Sequence, residues 1–128
     1  MPVLAALTMV LLGSAHLLAV GDAPWQRLGP DAPKGVEVAA VHAASTLSQT
    51  LLRVPKESSL PPGRHDADAT LILLEGELTI EAEGKTFQLA QGSVLEVSSG
   101  TVYRGRTKWD KKALLLITLA GPWARTAD

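Results

Sequence analysis

Few side chains in this 128-residue sequence can do chemistry. There is no cysteine, which removes thiolate metal sites, thiol nucleophiles, disulfide staples and a lipidated cysteine anchor. Three histidines remain. His16 lies in a charge-free apolar run and His42 just past a strand-like segment, so neither is expected at a site. His65 stands in Pro61-Pro62-Gly63-Arg64-His65-Asp66-Ala67-Asp68. An imidazole titrating near 6.5 can serve as a base or a ligand-binding group. Its plainer role is a rim histidine hydrogen-bonded to a neighbour, in which case His65→Ala costs only about 1 kcal/mol. Side chains alternate in an extended chain, so Asp66 and Asp68 face away from His65. Arg64, Arg104 and Arg106 would suit a carboxylate or phosphate if they gathered, and are otherwise solvated.

The elements that must position these residues read as short strands. Val36, Val38 and Ala40 alternate with Glu37 and Ala39, and Leu47, Gln49, Leu51 and Arg53 with Ser48, Thr50, Leu52 and Val54. Gln49 and Arg53 therefore share a face with Leu51, and either can place a polar group inside a closed sheet. Residues 55–64 (PKESSLPPGR) read as a proline-rich loop, and Glu75-Gly76-Glu77 as a turn after the apolar run 69–74. Leu78–Glu83, Thr86–Leu89, Ser93–Val97, Val102–Arg106 and Ala113–Leu119 complete the pattern. Seven or eight such strands without helical periodicity after residue 35 indicate a sandwich or barrel. Leu71–Leu74 is apolar on both faces, so one side needs a cover that a second subunit can supply. Glu96 is a possible extra donor, although nothing in the pattern fixes its direction.

Charge and targeting bound the rest. All 12 basic and 13 acidic residues fall after residue 20, and a net charge of −1 offers no footprint for nucleic acid. Val3–Val20 is an apolar run ended by Gly21-Asp22-Ala23-Pro24. Residues 1–23 read as a signal peptide of an exported (periplasmic or secreted) protein, or as a membrane anchor over 3–20. Residues 24–128 then form one domain. In the lead-in 21–35, Trp25 and Leu28 are the large apolar residues expected to pin it down.

The stretch Pro61–Thr107 resembles the cupin superfamily, small antiparallel jelly-roll β-barrels with two motifs. The first ends in a glycine, here Gly76, and counting back puts Ala69 at its glutamate and Gly63 and His65 at its two histidines. The second gives Gly92, Ser98 at its proline, Gly100, Tyr103 at its histidine and Thr107 at its asparagine. Fifteen residues separate Gly76 from Gly92, a compact spacing. Trp25 and the closing Gly121-Pro122-Trp123 look like those of small exported bacterial cupins, and Trp123 is expected to close one barrel end.

The resemblance implies an all-β, single jelly-roll barrel behind an apolar export segment, and three histidines and a glutamate around a divalent transition metal. Here Gly63 and Ala69 have no donor atom and a phenol is a poor ligand at neutral pH, so His65 alone keeps a family ligand position. No resident cofactor is expected. Three functions stay open. The favoured one is an exported module without family-type metal catalysis that binds a small organic ligand or acts as an accessory factor. Its ligand would meet His65, Tyr103, Arg53, Gln49 and Glu96. A second is an enzyme, either a metal-free isomerase or lyase with His65 as base and Tyr103 as acid, or a metal enzyme with rebuilt ligands. The third is an oligomerisation scaffold, with a homodimer the expected state.

Overall fold

The computed structural model describes residue 15 and residues 17–128, so most of the Val3–Val20 run, including His16, lies outside the described residues. Among the described residues no helix is long and apolar enough to cross a membrane. Ten strands follow a 3-10 turn at Val20–Asp22: β1 (Gln26–Arg27), β2 (Glu37–Ala43), β3 (Ser48–Val54), β4 (Ser59–Arg64) and β5 (Ala69–Ala82), then β6 (Lys85–Ala90), β7 (Val94–Val97), β8 (Tyr103–Arg106), β9 (Ala113–Leu119) and β10 (Thr126–Ala127). All neighbouring pairs are antiparallel. The molecule is an all-β jelly roll.

Strand β5 joins its two sheets. The first half pairs with β9 and β7, extending the order β1-β2-β3-β9-β5, and the second half pairs with β6 and β8, which leads on to β4 and β10. The change of sheet falls at a register shift between Leu73 and Glu75 and at Gly76, whose φ is +86°. A Cβ on Gly76 would overlap the Lys112 carbonyl oxygen, so a side chain is excluded where the strand bends. The expected turn at Glu75-Gly76-Glu77 is thus a bend inside one strand.

Residues 55–64 are not all loop as expected: their latter part is strand β4. Prolines cannot donate to a ladder, and the register shift between Leu60 and Gly63 opposite β8 leaves Pro61 and Pro62 out of the pairing. Their carbonyls still accept, from Arg125 Nη2 and from the Asp128 amide.

Period-2 alternation sorts the core. On β3, Leu52 and Val54 face inward to meet Leu71, Leu73, Leu115, Ile117 and Leu119 in the main cluster. Each such side chain, removed from water, contributes roughly 1.5–3 kcal/mol. The outward residues Ala39, Leu51, Leu114 and Leu116 form a second cluster, onto which Leu18, Ala23 and Trp25 fold. The lead-in is pinned twice, by Trp25 on this outer face and by Leu28 in the main core. Of the run Leu71–Leu74, Leu71 and Leu73 are fully buried, Ile72 is half-buried and Leu74 is exposed.

Candidate functional site

His65 follows β4 directly, and β4 lies between β8 and β10, with Gly63 opposite both Tyr103 and Ala127. The chain after β9 returns across this end of the barrel as a strap, residues 121–128, and closes it. His65 is only 2% exposed and Tyr103 0%, so the pair is interior rather than at a rim. The Trp123 ring stands 5.5 Å from the imidazole, as expected of a residue that closes a barrel end.

Hydrogen bonding fixes the chemistry of the pair. The Ala124 carbonyl, 2.7 Å from His65 Nδ1, can only accept, so Nδ1 carries the proton. Nε2 of a neutral ring is then an acceptor, and the Tyr103 hydroxyl donates to it at 2.7 Å. Burial holds the imidazole below its usual pKa, reinforced by the Arg125 charge and opposed by the Ala124 carbonyl and Asp66. Burial pushes the Tyr103 phenol up, with Arg125 pulling the other way. Both groups are neutral in this environment. Arg125 completes the cluster: its guanidinium carbon lies 4.6 Å above the Tyr103 ring, and Nη2 donates to the carbonyls of Pro61 (2.8 Å) and Tyr103 (2.9 Å). Gly63 gives it room, because a Cβ there would overlap Nη1.

The cupin domain family model matches residues 50–119, more than half of the chain. The chain belongs to the cupin superfamily. Solved structures agree on the fold. The DMSP lyase DddQ from Ruegeria pomeroyi DSS-3 aligns over 84% of this chain at 22% identity and a TM-score of 0.72, and the chain spans 61% of the lyase's length. The polyketide cyclase RemF from Streptomyces resistomycificus aligns over 89% of this chain and 85% of its own at 15% identity and a TM-score of 0.73. An RmlC-like cupin from Shewanella frigidimarina NCIMB 400 covers 86% and 93% at 15% identity and a TM-score of 0.70. No curated protein matches the sequence.

The residues of this cupin do not fit the metal its family implies. The four family positions hold Gly63, His65, Ala69 and Tyr103, and both nitrogens of the single imidazole already have protein partners. Among the described residues there is no group of three or more His, Cys, Asp or Glu that could hold an ion. Asp66 and Asp68 are both exposed, and Asp68 Oδ1 accepts from the Ser99 amide at 2.9 Å. Glu96 is exposed on the outer side of β7, because Leu95 and Val97 are the residues packed on the core.

Other expected residues are not brought to the pair. Gln49 and Arg53 do share the Leu51 face of β3, but that face is the outer one. Arg53 Nε and Nη2 donate to Glu37 Oε1 at 2.8 and 2.5 Å, and its guanidinium stacks 3.9 Å over Trp25. Nor do the three arginines gather: Arg64 binds Asp128, whereas Arg104 and Arg106 both bind Glu81. Thr107, at the asparagine position, clamps the preceding loop through the carbonyls of Pro55 and Ser58. Sequence reasoning missed Ala124 and Arg125. A backbone carbonyl leaves no trace in residue type, and Arg125 could have been found only from its place two residues after Trp123, on the same side of an extended chain.

Proposed function

We propose that this cupin is an exported module that binds a small organic ligand, or serves as an accessory factor, without the transition-metal catalysis of its family. The observation that carries the reading is the closed line from the Ala124 carbonyl through His65 to the Tyr103 hydroxyl, which engages both imidazole nitrogens at 2.7 Å. The proposal is tested by elemental analysis of the purified protein, expected to give well under one transition metal per chain. Stoichiometric iron, manganese or zinc that is lost on His65→Ala would overturn it.

One observation favours a second reading, a metal-free isomerase or lyase. The Nε2–hydroxyl hydrogen bond pairs a base with an acid, the arrangement that proton abstraction beside a carbonyl needs. Such a substrate must first displace the strap, since neither group meets solvent.

Two further elements belong to the proposal. Export rests on the charge-free run before residue 21, and amino-terminal sequencing is expected to start near Asp22–Pro24. A homodimer rests on the exposed Leu47, Leu74 and Val94, which are large apolar residues left uncovered in one chain. Light scattering of the mature protein is expected to give twice the chain mass.

A further inference from the structure

We infer that the hollow between the lead-in and the C-terminal strap binds a small organic monocarboxylate, with Arg125 taking its charge. The hollow encloses about 230 Å³, with apolar walls from Leu28, Pro30, Ala32 and Pro61, and Arg125 reaches its lining. This rests on the ligand-binding reading above and gives it a location outside the barrel interior.

Charge accounting carries the inference. Three arginines of this chain are half-buried: Arg53, Arg64 and Arg125. Arg53 has Glu37 and Arg64 has Asp128, whereas among the described residues no carboxylate pairs with Arg125. Withdrawing a cation from water without a counter-charge is costly, so it is normally paired or neutralised. Here the compensation is partial: two carbonyls on Nη2 and the face of the Tyr103 ring. Among the described residues Nε is buried with no acceptor, and Nη1 donates to none. The unmet capacity is therefore one positive charge and donors only, and its complement is an acceptor-only anion. A planar guanidinium matches a carboxylate in shape as well as charge.

The walls set the rest of the ligand. Leu28, Pro30, Ala32 and Pro61 present hydrocarbon, which suits a short aliphatic or aromatic body. The one acidic residue in the lining, Asp31, is exposed and makes no ion pair with Arg125. It disfavours a dianion or a phosphate and leaves one negative charge as the best match. The site also communicates with the buried pair: Arg125 is among the causes that lower the His65 pKa, so a carboxylate neutralising it lets that pKa rise.

The test uses the whole mature protein and three probes of matched length: hexanoate, hexanol and hexylammonium. Calorimetry is expected to show saturable hexanoate binding in the millimolar range, with the other two about tenfold weaker or more. His65 ring resonances should titrate at higher pH in saturating hexanoate. Arg125→Gln is expected to lower hexanoate affinity at least about tenfold. Ala127→Phe narrows the same hollow from an exposed position, leaves Arg125 in place, and decides the question if the arginine variant fails to fold. Hexanoate affinity unchanged from the parent protein in both variants overturns the site. Saturable hexanol without hexanoate overturns the carboxylate but keeps the ligand-binding reading, and no binding by any probe overturns the site altogether.

Discussion

The inward face of β3 runs Ser48, Thr50, Leu52, Val54, and the change halfway along it divides the barrel interior into two regions. Beside Leu52, the row through Leu115 and Leu73 is hydrocarbon throughout. Beside Ser48, the row through Leu119 and Ala69 lies where the chain runs back to His65 on one side and on to Trp123 on the other. Here imidazole, phenol, indole and guanidinium replace aliphatic side chains, and every buried side-chain nitrogen or oxygen without a hydrogen-bond partner belongs to this end or to the strap that covers it: Ser48 Oγ, Thr50 Oγ1, Trp123 Nε1 and Arg125 Nε, among the described residues. The aliphatic end answers only to volume. The polar end answers to an inventory of donors and acceptors, which volume alone cannot satisfy.

The largest expected effect lies in the aliphatic end. Leu115 is fully buried among Leu52, Leu71 and Leu73, so Leu115→Ala is expected to cost about 3 kcal/mol through lost transfer energy and a residual cavity. Denaturant midpoints with an unchanged slope would establish it. At the polar end Tyr103→Phe keeps the ring and removes one hydroxyl. It strands His65 Nε2 as a buried acceptor without a donor, and the expected cost is about 2 kcal/mol. His65→Ala, expected near 1 kcal/mol for a rim residue, should exceed that, because the imidazole is buried with two hydrogen bonds and two ring contacts. If Tyr103→Phe were neutral, the two ends would obey the same volume rule and the distinction would be lost.

A pH arm separates the two regions again. The folded imidazole is held below its usual pKa chiefly by burial, whereas the unfolded one takes a proton near 6.5. Below that pH the unfolded chain binds more protons, so stability is complete above about pH 6.5 and is lost as pH falls toward the folded value. For one proton the slope cannot exceed about 1.4 kcal/mol per pH unit. Melting curves from pH 7.5 down to 5 should show this loss in the parent protein, and His65→Gln should lack it. The Leu115→Ala variant should keep the slope unchanged while melting lower throughout.

How legible each region was in the sequence follows the same division. The apolar run Ala113–Leu119 matches strand β9 to the residue, because a stretch of hydrocarbon side chains of strand length is written in residue types. Gly76 marked a change of direction, but a turn and a strand bend use the same residue, and only the crowding by the Lys112 carbonyl tells them apart. Strand β4 was hidden by two prolines that its register shift tolerates. At the polar end, residue types named His65 and Tyr103 through the motif resemblance. They could not name the partners, since one is a backbone carbonyl at Ala124 and another an arginine from a chain end that returns across the barrel. Arg53 was misplaced for a related reason: period 2 says which residues share a face, not which face is inside.

The smallest expected effect is at the outer edge of the strap, and it sharpens the contrast between a charge that is enclosed and one that is not. Arg64 Nη1 donates to Asp128 Oδ1 at 2.7 Å, as short a contact as any at the buried pair. Yet the two side chains are 39% and 47% exposed, so water screens the attraction and ordering two side chains offsets most of it. Arg64→Ala is therefore expected to change stability by no more than about 0.5 kcal/mol, and less in high salt. Backbone pairing of Thr126 with Arg64 does not depend on that side chain, so the strap should stay in place and His65 should keep its lowered pKa. The measurement is a melting curve beside a His65 titration. A loss near that of Tyr103→Phe, or an imidazole returning to its ordinary range, would mean that the strap is held by its exposed end rather than by Trp123 and Arg125 within.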